Sequence, residues 1–332
     1  DVIHAMTSRQ RFHLTMACGA VGCPPLLEEG LRDDVLAAWR DQGQAPGTDL
    51  NALFHYDRRE RIDPDLCSLA PLTRFPPTRH DLEAFRRGLD ANDAARLCAQ
   101  WSNCVASWQN RSHILDLYLH RGLFPTMGVQ AWATLEPVLY FLADHRTLAR
   151  EVMDIQADFA VQLAERVLRE VEVDMVCVSE PIADNHGPLI SPEMYRQIVL
   201  PGYRRMLEAV RRHGVPAIVY MVYGNALPLL ADVLDAGFDT LWAMEVETHA
   251  MDYRRLRKQF GRHLRLIGGI DLDTLSRDES AIDREIHEKL PPLLAQGGYI
   301  PLADGRVRAN VPWRNYVHYR RTLEEVVRAH RA

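Results

Sequence analysis

Apolar positions fall into two rhythms that alternate from about residue 173 to the end of the chain. Residues 176–179 and 217–223 are short apolar runs without a helical period, the mark of strands buried on both faces. Between them, residues 192–213 carry apolar side chains at helical steps. Ser191 is a natural cap there, Pro192 takes the first helical position, Glu193 lies in the first turn and Gly214 is a stop. The alternation continues with a helix over 227–236, a strand over 240–244, a helix over 253–260 and a strand over 264–267. A helix over 281–294, a strand over 299–303 and a last helix over 313–328 complete it.

Upstream the pattern is looser. Helices are predicted over 7–12, 31–42, 80–89, 92–106, 132–142 and 148–170, and strands over 26–30, around 67–75 and over 122–129. Residues 43–80 are rich in Pro, Asp and Arg and read as an irregular connection, with 57–61 as a solvated face. Strand-helix units in succession imply a parallel sheet, and the length allows eight strands to close. The expected fold is α/β, a (β/α)8 TIM barrel formed by residues 1–332 as one domain, with residues 1–80 as an extension and connection packed on it and with extra helices. Such a barrel gathers its chemistry at the carboxyl ends of its strands.

Composition narrows the classes. Of 332 residues, 47% are hydrophobic and 25% charged, the balance of a globular core, and the net charge of −6 with Lys and Arg mixed among the acids provides no basic face for nucleic acid. No run approaches the roughly 18–20 apolar residues that span a bilayer, and no charged-then-apolar leader precedes the fold, so a cytoplasmic protein without membrane contact is expected. The six cysteines, at 18, 23, 67, 98, 104 and 177, include no Cys-x-x-Cys pair and are expected to be reduced and structural.

The polar groups after the strands are the site candidates. Glu180, Asp184, Asn185 and His186 follow the strand ending at 179, and a carboxylate stripped of water or an imidazole can move a proton near neutrality. Tyr223 and Asn225 close the next strand, and could offer a phenol and an amide to an anion. Glu245 and Glu247 follow the strand over 240–244, Glu245 being the nearer. Asp271 after Gly268-Gly269 reads as a helix cap, and those two glycines lack the three-glycine spacing of a dinucleotide site. Asp304, Arg306 and Arg308 lie in the last loop, where an arginine can pair bidentately with a substrate carboxylate. Glu28, Glu29 and Arg32 are further candidates near the start, and Trp132 is a candidate pocket wall.

Several segments together resemble the uroporphyrinogen decarboxylase superfamily, which also contains zinc-dependent methyltransferases that move methyl groups between corrinoids and thiols. They are Asn185-His186-Gly187-Pro188 before Ile190-Ser191-Pro192-Glu193-Met194-Tyr195, Gly224-Asn225 before a Pro-Leu-Leu helix, Trp242-Ala243-Met244-Glu245-Val246, Ile267-Gly268-Gly269-Ile270-Asp271, and Gly297-Gly298-Tyr299-Ile300-Pro301 leading to Asn310-Val311-Pro312-Trp313-Arg314-Asn315-Tyr316. A weaker likeness covers residues 7–12 and 27–36. The resemblance implies the barrel.

It also locates departures. Where the methyltransferases carry a His-x-Cys-Gly zinc motif this chain has Met221-Val222-Tyr223-Gly224, and their later cysteine falls near Asp304. The amino-terminal arginine motif of the decarboxylases is missing from Cys23-Pro-Pro-Leu-Leu-Glu-Glu-Gly30, Gly305 stands where they have a His, and Asn185 stands near their strand-end serine. The expectation is a lyase of decarboxylase type acting on a small or medium carboxylic acid, without metal or other cofactor. Glu180, Asp184, His186 and Tyr223 would handle the proton, and Glu28, Asn185, Asn225, Glu245, Asp304, Arg306 and Arg308 would hold the substrate. The alternatives are an alkyl or methyl transferase served by a corrinoid protein through an altered metal site of Glu180, Asp184, His186 and Glu245, and a barrel that binds a ligand without chemistry. Expected partners are a small carboxylate and a second copy of the chain.

Overall fold

A computed structural model describes residues 6–19, 23–244 and 250–330. In chain order its elements are α1 (Ser8–Met16), α2 (Val35–Asp41), α3 (Leu50–Leu53), β1 (Arg59–Ile62), α4 (Arg79–Arg87), α5 (Trp101–Trp108), β2 (Ile114–His120), α6 (Leu123–Thr126), α7 (Trp132–Asp144), α8 (Arg146–Leu168), β3 (Met175–Glu180), α9 (Pro192–Ile198), α10 (Leu200–Arg212), β4 (Ala217–Tyr223), α11 (Leu230–Ala236), β5 (Thr240–Met244), α12 (Tyr253–Phe260), β6 (Arg265–Ile270), α13 (Glu279–Leu294), β7 (Tyr299–Ala303) and α14 (Trp313–Ala329). The chain divides into two compact units: Asp1–Arg59 with Ser112–Ile114 and Thr240–Ala332, and Glu60–Arg111 with Leu115–Asp239.

In the unit of residues 60–111 and 115–239, β2, β3 and β4 run parallel, with Asp116 beside Met175, Tyr118 beside Cys177, Met175 beside Ala217 and Glu180 beside Val222. The register is held at the amino ends by a polar pin. The Asp174 carboxylate accepts from Arg111 at 3.0 Å and from the Leu115 amide at 2.8 Å, and all three residues are buried or nearly so. Because side chains alternate along a strand and paired residues of parallel strands share a face, two sets follow from that register. Asp116, Tyr118, Cys177, Ser179, Met221 and Tyr223 look to one side. Leu117, Val176, Val178, Glu180, Ile218 and Tyr220 look to the other, toward α9 and α10. The stretch expected as one helix over 192–213 breaks at Val199, ahead of Pro201 in the first turn of α10, because proline has no amide to continue the ladder.

In the other unit β5, β6 and β7 are also parallel, Trp242 lying beside Ile267 and Gly269 beside Leu302. Tyr253 of α12 ties two of these strands, donating to the Ile267 carbonyl at 2.6 Å and accepting from the Ala243 amide at 3.0 Å. Trp39 is buried against Trp313 and Tyr316 of α14, with ring centroids 5.0 and 4.8 Å away.

The α/β class with parallel strands is as expected, but a closed eight-stranded barrel is not what the described residues show: they contain seven strands. Residues 26–30 build no ladder, since Asp57 takes the Leu26 amide onto its carboxylate, and Leu31 makes only a single bridge with Val307. Residues 122–129 are not a strand. Gly122 turns at φ +91° and α6 follows, with Leu123, Phe124 and Met127 buried on one helical face. No strand forms over 67–75. Conversely, the run expected as a solvated face contributes β1, and Ile114–His120, read as no element, is a fully buried strand.

Candidate active site

Glu180 closes β3 on the helix-facing side, without exposure. Its Oε2 accepts from Tyr203 of α10 at 2.5 Å and from Tyr195 of α9 at 3.2 Å, and its Oε1 accepts from the Leu123 amide at 2.9 Å. Tyr220 stands 3.2 Å from the Tyr195 hydroxyl. Burial pushes the Glu180 carboxyl up to about 7, against the lowering effect of Tyr203, the Leu123 amide and Tyr195. His120, at the end of β2, is equally buried, and burial lowers it to about 3, so its ring is neutral. Its Nδ1 accepts from the Gly122 amide at 2.8 Å, which puts the ring proton on Nε2. Glu180 and His120 thus grip consecutive amides of one turn, Gly122 and Leu123. That turn begins with Arg121.

The opposite sheet face collects a different set. Arg61 of β1 lies over the Tyr118 ring, its Cζ 4.0 Å from the centroid, and pairs with the buried Asp116 at 3.0 Å. Arg121 approaches the same ring at 5.3 Å and pairs with Asp63. The side chains of Arg61 and Arg121 are 32% and 41% exposed. Two phenols converge on one thioether, Tyr118 at 3.0 Å and Tyr223 at 3.9 Å from Met221 Sδ. Arginines above a phenol pair, at strand carboxyl ends, can orient an anion and hand it a proton.

The remaining expected residues scatter. Asp184 is exposed and caps its own loop, accepting from the His186 and Gly187 amides, which hold its carboxyl below the usual range. Asn185 and His186 are exposed as well. Asn225 is half-buried and accepts from the Leu227 amide. Asp271 caps the turn after β6 through Asp273 and Thr274, as its sequence position suggested. In the other unit the Glu28 carboxylate packs against α14, bonded by Tyr316 and Arg320 at 3.3 Å each with its side chain 9% exposed, and desolvation raises its pKa. Glu29 pairs with Arg59, whose guanidinium lies 4.9 Å from the Trp242 ring. Asp304 accepts from the Leu272 amide, Arg306 donates to the Leu31 carbonyl beside Asp33, and Arg308 pairs with Asp273. Glu245 and Glu247 lie outside the described residues, as does the Trp132 side chain. Of the expected catalytic residues, Tyr223 alone is on the Arg61 and Tyr118 face.

Arg61, Arg121, Asp116, Tyr118 and Met221 were missed. Arg61 was hidden in a run that looked solvated, although an Arg directly after the strand that ends at His120 was a usable signal once that strand was known.

Parallel strands alternating with helices, with charged and phenolic groups at their carboxyl ends, define an α/β protein of the kind that seats small molecules there. A model of the uroporphyrinogen decarboxylase (URO-D) family matches residues 130–303, more than half of the chain, and the chain belongs to that family. It is 24% identical over 191 residues to a uroporphyrinogen decarboxylase of Geobacter metallireducens and 22% identical over 191 residues to that of Geobacter sulfurreducens. Each match covers 58% of this chain and 52% of the relative, so the chain spans about half the length of these curated relatives. Among solved structures, a methyltransferase from Methanosarcina mazei shares the fold at a TM-score of 0.62 and 14% identity, over 97% of this chain and 99% of the other. No helix among the described residues is long and apolar enough to cross a membrane.

Proposed function

We propose that the protein is a lyase that removes carbon dioxide from a small or medium carboxylic acid, at the sheet face formed by Arg61, Tyr118, Arg121, Ser179, Met221 and Tyr223. The observation that carries this reading is the pair of part-exposed arginine side chains over the Tyr118 ring, with a second phenol, Tyr223 at the end of β4, meeting the same Met221 sulfur as Tyr118. The guanidiniums bind one or two substrate carboxylates and fix the scissile bond, and as carbon dioxide departs the electron pair stays on carbon. Tyr223 delivers the proton to that carbon. Glu180 works at one remove: through the Leu123 amide it sets the turn that presents Arg121, as a positioning residue. Arg306 and Arg308, the arginines first expected to bind substrate, are engaged by Leu31, Asp33 and Asp273.

The alkyl-transfer alternative with a metal at Glu180, Asp184, His186 and Glu245 has less support, since both Glu180 oxygens accept protein hydrogen bonds on the helix side while Asp184 and His186 are exposed; Glu245 lies outside the described residues. The test is incubation with a panel of mono-, di- and tricarboxylic acids, following released carbon dioxide. Release abolished by Tyr223→Phe supports the reading. Failure across the panel, with methyl transfer to an added corrinoid protein, overturns it.

A further inference from the structure

We infer that Cys98 and Cys104 form a redox-active dithiol, a modification site that takes a small-molecule disulfide of the glutathione type as its oxidant. The two sulfurs stand 2.7 Å apart, closer than the van der Waals contact of two sulfur atoms, and the cysteines are free. The backbone brings them together. A turn at Ala99–Gln100 leads into α5, and the Asn103 and Cys104 amides both donate to the Gln100 carbonyl, at 2.9 and 3.1 Å. That first helical turn folds Cys104 back over the residue just before the turn. Trp101 and Trp108 of the same helix meet edge-on at 5.7 Å, and Trp108 donates to Glu60 at 2.5 Å, so the helix carrying Cys104 is fixed while Cys98 lies on the extended segment in front of it.

The two thiols are not equivalent. Cys98 is exposed and Cys104 half-buried. The contact with Cys98, ahead of burial, raises the Cys104 thiol, while Cys98 is the sulfur open to an oxidant in solvent. Cys98 is therefore the attacking sulfur and Cys104 the resolving one. The Cys98 thiolate attacks one sulfur of the oxidant, forming a mixed disulfide and expelling one thiolate. Cys104 then attacks Cys98 Sγ, expelling the second thiolate. The two protons of the cysteine thiols go to the two departing thiolates, and the oxidant gains the two electrons that the protein loses.

The experiment uses the full chain with oxidised glutathione, quenched by acid and mapped by peptide mass. The expected result is loss of two of the six thiols, with a peptide crosslinked through Cys98 and Cys104 and no lasting glutathione adduct on either. Cys104→Ser should trap glutathione on Cys98, and Cys98→Ser should retain the Cys104 thiol. A glutathione adduct that persists on Cys98 in the unsubstituted protein, or both thiols surviving while other cysteines react, would overturn the assignment.

Discussion

The Tyr203 hydroxyl on α10 donates to Glu180 Oε2 on β3 at 2.5 Å, inside a layer that holds a carboxylate, three phenols and a neutral imidazole. A charge-assisted hydrogen bond of this kind contributes more than one to a neutral acid. Tyr203→Phe should lower stability by about 1.5 to 3 kcal/mol at pH 8, where Glu180 is ionised, and by about 1 kcal/mol at pH 5, where it is protonated. Urea unfolding at the two pH values checks this. An equal loss at both would show that the phenol matters for packing alone.

Glu180 itself makes stability depend on pH. Its folded pKa is raised to about 7 from the ordinary 4.5, so between those values the native state binds more protons than the unfolded chain. The stabilisation is complete below about pH 4.5 and is lost as pH rises through 7, on the order of 3 kcal/mol in all. Glu180→Gln should remove this component. The difference in unfolding free energy between the native protein and the variant should fall with pH across that window and level off above it; a difference that does not change from pH 4 to 8 would refute the assignment.

Gly122 is where the chain leaves β2 at φ +91°, and a Cβ there would lie 2.5 Å from Glu180 Oε1 and 2.8 Å from the Ser179 carbonyl. Gly122→Ala combines left-handed strain with that clash, and should cost about 2 kcal/mol or more. Thermal or urea unfolding measures the loss, and an unaltered midpoint would contradict the geometry.

For the proposed reaction Arg121→Gln is the cleaner arginine probe. Arg61 pairs with the fully buried Asp116, so replacing it also disturbs a buried ion pair, at a stability cost of about 3 kcal/mol. Arg121 pairs only with the half-exposed Asp63 among its described ion pairs. Loss of one charged contact to substrate should reduce kcat/KM for carbon dioxide release by about ten- to a hundredfold, whereas Arg306→Gln should leave it unchanged. The reverse ranking would return the site to the last loop.

Uninterrupted apolar runs made β4, β5 and β7 legible at their ends. β2 was not legible, because Asp116 and His120 interrupt its apolar run and their burial depends on Arg61 and on the Gly122 amide, partners distant in sequence or defined by a turn. Residues 122–129 failed for the opposite reason: a short apolar stretch containing Pro125 carries no period long enough to separate strand from helix. At the site, sequence position placed Glu180 at a strand end but not on a side. Strand parity groups it with Val176 and Val178, and the phenols at 195 and 203 in the following helices identify that side. Glu245 and Glu247 fall outside the described residues.

The Asp174 pin lies at the opposite end of β2 and β3 from the groups proposed to bind substrate. A slip of one residue there would turn Tyr118, Ser179 and their neighbours over to the helices, so the choice of which side chains can meet a substrate is made far from any substrate. On the proposed reading, a substitution at 221 or 223 alters the chemistry on offer while the ionic lock at the other end keeps the strands aligned.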